Sequence, residues 1–202
     1  MSELVFLLEE ASAREMLTGF LPKILPDSVI PRYIVFDGKQ DLEKQMVRKM
    51  RSYLVPGARF IVLRDQDACD CKVVKATLRA KCDEAEKPDA LVRIACHELE
   101  SWYLADLAAV EMGLKARGLA RRQNERMYKT PDSYSSPSQT LKRAVPGYQK
   151  MNGSRAIGPH LDPDNTRSSS FSAFVSGVKQ LVSTSSLQAS NRPITKKKKN
   201  AK

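Results

Sequence analysis

Two rhythms of apolar and polar positions alternate through the first 113 residues. Short, nearly continuous apolar runs occupy residues 4–10 (LVFLLEE), 28–36 (SVIPRYIVF), 59–63 (RFIVL) and 89–96 (DALVRIAC). Each has the length and composition of a strand covered on both faces. Between them the apolar positions return every three or four residues. In 12–25 they are Met16, Leu17, Phe20, Leu21, Ile24 and Leu25, with Ser12 as the expected N-cap and Pro26 limiting the far end. The segment 41–54 (DLEKQMVRKMRSYL) predicts an amphipathic helix opened by Asp41, and 72–85 a more polar one. In 97–113 (HELESWYLADLAAVEMG) the stripe Leu99, Tyr103, Leu107 and Val110 predicts one long helix ending at Gly113. Strand and helix alternate four times, which predicts an α/β fold: a mostly parallel four-stranded sheet with helices on both faces.

Beyond residue 113 the rhythm fades. Residues 114–139 are polar and basic and read as loop. Residues 137–161 predict a short helix and several turns, and Phe171, Phe174, Val175, Val178 and Leu181 mark a last amphipathic helix. The expected organisation is an α/β core over 1–112, a helical and loop part of the same domain over 113–182, and a disordered basic tail over 183–202.

Composition narrows the classes. Hydrophobic residues make up 42% of the 202, ordinary for a packed domain. No apolar run approaches the roughly 20 residues of a membrane span, and the apolar start runs at once into Glu9 and Glu10 rather than a cleavage site. A cytoplasmic protein with no membrane partner is expected, its cysteines reduced. A zinc site of Cys69, Cys71 and His97 is the weaker reading, because the spacing matches no common site. The net charge is +11, and +6 remains without the five lysines of the terminal KKKKNAK. A basic body suits a polyanionic partner. Arg121, Arg122, Arg126 and Lys129 form a stretch able to follow a phosphate backbone, with Tyr128 offered for stacking.

Candidate chemistry sits where strands end. In parallel α/β sheets the carboxyl ends of the strands carry the site, and here these ends are acidic: Glu9 and Glu10, then Asp65 and Asp67 in IVLRDQD, then Glu98 and Glu100. On an extended chain Asp65 and Asp67 point the same way. Clustered carboxylates repel unless their pKa values rise or a cation binds. Mg²⁺ or Mn²⁺ takes carboxylate oxygens, and two such ions hold both oxygens of a phosphodiester displacement. Glu100 faces the apolar stripe and is the better ligand; Glu98 suits the first turn of a solvated helix. No G-x-S-x-G and no P-loop is present, so acyl-transfer and P-loop ATPase chemistry find no support.

A glutamate ending the first strand, followed by a strand ending in D-x-D, resembles the Toprim domain of topoisomerases, primases and overcoming-lysogenization-defect nucleases. FLLEEASAREML, FDGKQDLEKQM, RIACHELESWYLAD, PSQTLKRAVPGYQKMNGSRAIGPHLD and SFSAFVSGV are similar to a small bacterial family known as domain-of-unknown-function family 4276. The resemblance implies a Toprim-like fold and a Mg²⁺ or Mn²⁺ site for cutting or joining nucleic acid. Glu9 would act as acid or base and as ligand, Asp65, Asp67 and Glu100 as ligands, and Lys150 would stabilise developing phosphate charge. It also implies an ATPase encoded nearby and a role in anti-phage or mobile-element defence. Related nucleases continue Glu-Gly and carry another acid four residues on; here Glu10 replaces the glycine and Ala13 the acid. A second ion would then fall to Glu10, Glu98 or Asp70. The leading expectation is a metal-dependent nuclease subunit acting on DNA or RNA. The competitor is a non-catalytic nucleic-acid- or partner-binding module on a degenerate Toprim scaffold, and a homo-oligomer is compatible with either.

Overall fold

The computed structural model describes residues 2–190. Four strands, β1 (Ser2–Leu8), β2 (Val29–Val35), β3 (Arg59–Asp65) and β4 (Leu91–Ala95), form one wholly parallel sheet in the order β2-β1-β3-β4. Helices α1 (Ala11–Phe20), α2 (Lys39–Arg51) and α3 (Cys71–Glu84) make the crossovers. The connection through α2 passes over β1, so the direction of winding reverses between β1 and β3.

The two central strands are the two most apolar ones, as burial on both faces requires. Leu4 to Leu8 and Phe60 to Asp65 are buried without a break. Edge strand β2 is only half-buried and carries Pro31 opposite Leu4, a position open to a residue lacking an N–H. Period-two alternation divides the side chains of the central strands between two cores. Val5, Leu7 and Val62 meet Met46 and Met50 of α2 and Val74 and Leu78 of α3. Phe6, Leu8, Ile61 and Leu63 meet Met16, Leu17 and Phe20 of α1 and the whole C-terminal part.

That C-terminal part is more helical than its sequence rhythm suggests. The expected helix over 97–113 is two: α4 (Glu100–Leu104) and α5 (Leu107–Leu114). Asp106 breaks it, leaving helical φ/ψ to cap α5 by accepting from the Ala109 N–H at 3.1 Å. Distant side chains satisfy the freed backbone groups. Gln123 bonds both the Leu104 carbonyl and the Leu107 N–H, and Asn165 donates to the Ala105 carbonyl. The predicted stripe is nonetheless buried, from Leu99 to Val110.

Where one short helix was expected there are two, α6 (Pro137–Ala144) and α7 (Lys150–Ile157). Helix α8 (Ser169–Ser190) runs past the expected boundary at residue 182, while 191–202 of the expected basic tail lie outside the described residues. Asp132 caps α8 by accepting from the Ser170 N–H at 2.9 Å and from the Ser168 hydroxyl. Trp102 donates to the Ser170 hydroxyl and lies between Phe171 and Phe174, 5.2 and 5.1 Å between ring centres.

Smaller boundaries also shift. Helix α1 begins with Glu10 at its cap, and Ser12, expected there, is buried inside the first turn. Helix α2 begins at Lys39 after Gly38, whose φ of 93° suits glycine, rather than at Asp41. No helix among the described residues is long and apolar enough to cross a membrane.

Candidate functional site

The reversal of winding between β1 and β3 opens a crevice at their carboxyl ends, the place where open α/β sheets hold ligands. Both tips are acidic. Glu9 follows β1 directly and accepts from the Asp65 N–H at 3.2 Å, so the two tips are tied together. Asp65 is the last residue of β3 and is 8% exposed. Glu10, at the cap of α1, completes the β1 side. From the C-terminal part come two more groups. Glu100 opens α4 and is completely buried. Lys150 opens α7 and forms an ion pair with Glu10, with its Nζ 4.0 Å from Asp65 Oδ2.

Close helix packing puts Lys150 there. Helix α7 lies on α1, and Gly158, just past its end, meets the carbonyl of Met16; a Cβ at 158 would fall 2.4 Å from that oxygen. No side chain fits, and the short distance between the helices brings the first residue of α7 over the strand tips.

The electrostatics follow from crowding acids in a dry place. Burial raises the Asp65 carboxyl well above the ordinary carboxylate range; Lys150 pulls it back, and Glu100, Glu10 and Glu9 push it further up. Glu9 is raised by burial and by Asp67 and Glu10, against the Asp65 N–H and Arg64. Glu100 is raised by burial, against Lys150 and the Tyr148 hydroxyl, which donates to its Oε1 at 3.0 Å. Burial pulls Lys150 down, but Glu100, Glu10 and Asp65 outweigh it and hold the ammonium above the usual lysine range. The cleft between Glu9, Ser12, Asp65 and Leu99 has about 10 Å³ of free volume, room for a single water-sized particle. A larger open cleft of about 320 Å³, lined by Leu114, Arg117, Leu119, Arg122 and Val145, includes none of these carboxylates.

Other acids are turned to other work. Asp67 does not share a strand face with Asp65, because β3 has ended and Asp67 has φ 57°. A mutual clasp between strand ends holds that conformation: the Asp67 N–H donates to the His97 carbonyl at 2.8 Å, and His97 Nδ1 lies 3.2 Å from the Asp67 carbonyl. The Asp67 carboxylate pairs with Lys39 at 2.7 Å. Glu98 is half-buried rather than solvated: it accepts from the N–H and hydroxyl of Ser138 at the start of α6, and its charge helps to raise Glu100. Asp70 caps α3 through the N–H groups of Lys72 and Val73.

In the basic stretch Arg121, Arg126 and Lys129 are exposed, while Arg122 is bound to Glu125 through two N–H groups. Tyr128 is buried under Arg122, so it offers no face to a base. All four cysteines are free thiols, and burial pushes Cys82 up to about 11.

Three participants escaped the sequence reading. Arg64, buried within β3, pairs with Glu43 and lies 3.8 Å from Glu9. A charged residue inside an apolar strand was the available signal, since burial demands a partner. Lys39 and Tyr148 carried no such mark.

The family model of "Domain of unknown function (DUF4276)" matches residues 8–179. The chain belongs to this family. Its structure is similar to the C-terminal region of the OLD protein of Xanthomonas campestris pv. campestris, with a TM-score of 0.52 over 91% of this chain and 97% of that one. At 15% identity the likeness speaks for the fold, and the Toprim-like α/β arrangement expected for this DUF4276 chain is what is found. No curated protein matches the chain.

The donor set of the DUF4276 crevice fits a hard divalent cation. Its groups are carboxylates, and Glu100 Oε2, fully buried, has no hydrogen-bond partner among the described residues. Among those residues no three acidic, histidine or cysteine groups are already gathered as a cage. The acids converge on an ammonium instead.

Proposed function

We propose that this chain is a metal-dependent nuclease subunit that uses Mg²⁺ or Mn²⁺ on DNA or RNA phosphodiesters. The observation that carries the reading is the convergence of Glu10, Asp65 and Glu100 on Lys150, with Glu9 tied to the Asp65 N–H, at the crevice between β1 and β3. Structural acids at turns are ordinarily exposed or capping, as Asp70 and Glu98 are. A cluster held desolvated, with one oxygen of Glu100 unmatched, costs folding free energy. Such a cost fits a site that binds a cation.

In this mechanism Asp65, Glu9 and Glu100 would hold the ion, with Glu10 and Asp67 as further donors. The ion supplies Lewis acidity and an activated water when bound. Glu9, at the tip of β1 and bonded to the Asp65 N–H, would take a proton from the attacking water. Lys150 offers its ammonium to the non-bridging phosphate oxygens as negative charge builds. Arg64 orients Glu9 from below. Exposed Arg121, Arg126 and Lys129 follow the phosphate backbone away from the site. The kinship in fold to a part of the OLD protein supports the same reading. A separate ATPase partner and a defence role rest on the family resemblance.

The test is nicking of supercoiled plasmid and of transfer RNA by the purified chain with Mg²⁺ or Mn²⁺, with and without the neighbouring gene product. Cleavage that disappears in Asp65→Ala supports the nuclease. Wild type and Asp65→Ala equally inert under all conditions leave the second reading, a binding module on the same scaffold. One observation favours it: Asp67, Glu98 and Asp70 are each already engaged within the fold.

A further inference from the structure

The crevice already contains a cation, and it belongs to the protein. Lys150 pairs with Glu10, lies 4.0 Å from Asp65 Oδ2 and is held in place by both Glu100 and Asp65 electrostatically. Its backbone is fixed by the close approach of α7 to α1, so the ammonium swings only about its own stem. An ammonium and a hard divalent ion make the same demand on the same oxygens, and each repels the other at short range. The cleft beside Asp65 has room for one water-sized particle. Two cations therefore do not share these carboxylates on equal terms.

We propose that Lys150 is the resident counter-ion of the crevice, and that a divalent ion entering among Asp65, Glu10 and Glu100 evicts its ammonium toward the substrate phosphate. The inference rests on the metal-dependent reading above and adds a coupling to it. Glu100 Oε2, buried and unmatched, is the oxygen that the lysine leaves unsatisfied and the ion takes up. Until an ion arrives, the Lys150 ammonium is paired with Glu10 and balanced by Asp65 and Glu100, and the site has little free charge with which to grip a backbone phosphate. Once evicted, the ammonium has lost its partners within the protein and gains one in the phosphate. Ion loading and phosphate binding are thus favourably linked through one side chain, and the unloaded crevice is indifferent to nucleic acid.

Calorimetric titration of the full chain with Mn²⁺ alone, no nucleic acid present, tests this on wild type, Lys150→Met, Lys150→Gln, Lys150→Arg and Asp65→Asn. Removing the competing charge should tighten Mn²⁺ binding about tenfold or more in the Met and Gln variants. The Arg variant keeps the charge and should show no such gain, and Asp65→Asn should lose binding. Thermal unfolding with and without Mn²⁺ gives a second readout, with a larger stabilisation by the ion in Lys150→Gln than in wild type. Should neutral variants bind Mn²⁺ no tighter than wild type while binding still depends on Asp65, the exchange is overturned and the metal reading stands. Should wild type and every variant fail to bind, both are overturned.

Discussion

The carboxylates of the crevice fall into two halves made of the same residue types and governed by different physics. Toward α1 and α7, Asp65 and Glu100 are 8% and 0% exposed and share one lysine with Glu10. Toward α2, Asp67 and Lys39 form a private pair with side chains 34% and 44% exposed. In the first half burial raises the acids and neighbours cannot neutralise them all. In the second, water screens both charges and the pair is complete by itself. Charge is least satisfied in the buried half, which is why the proposed cation is placed there.

The sharpest way to break this comparison is to neutralise one acid in the buried half. Asp65→Asn should lower metal-dependent cleavage at least about 10²-fold, since even groups that merely support metal ligands cost 10–100-fold. Its urea midpoint should stay level or rise, because a buried charge has been removed. A variant that remains active within a few-fold would erase the distinction between the halves.

Next in size is Tyr148→Phe. It takes away the hydroxyl that donates to Glu100 Oε1, leaving a buried carboxylate with less support. A loss of about 1–3 kcal/mol in denaturant unfolding is expected. Equal stability would mean that water supplies the missing hydrogen bond.

The pH dependence of the metal-free protein should show the same asymmetry. Asp65, Glu9 and Glu100 have folded pKa values above their ordinary 3.8 and 4.5, so across that window the folded state holds more protons than the unfolded one. Stability therefore falls as pH rises through the ordinary values toward the raised ones, then levels off. Asp65→Asn should flatten the decline. A stability that rises across the window would contradict the assigned direction.

The smallest effect belongs to the solvated half. Lys39→Ala breaks the pair with Asp67 and should cost about 0–1 kcal/mol, shrinking further in high salt. A larger loss, measured the same way, would show that Lys39 holds the clasp between Asp67 and His97.

How much of this was legible in the amino-acid sequence depended on the range of the interaction involved. The continuous apolar runs of β1 and β3 announced strands buried on both faces, and with them the tips where Glu9 and Asp65 stand. The positions flanking Asp65 obeyed longer-range rules. Asp67 was read as extended because the strand was carried two residues too far; its φ of 57° is held by His97, thirty residues away. Glu98 was read by its place in a first turn, whereas Ser138 decides what it does. The stripe from Leu99 to Val110 read as one helix because local periodicity is blind to a break whose cost is met by Gln123 and Asn165.

The sequence by itself determined a mostly parallel, doubly covered sheet and the acidic strand ends, because burial pattern and turn chemistry act over a few residues. Only the tertiary structure decided which acids lose their water, which are used as caps, and that Lys150 from α7 becomes their common partner. Desolvation and charge balance depend on everything within several ångströms, and those neighbours come from β1, β3, α4 and α7 at once.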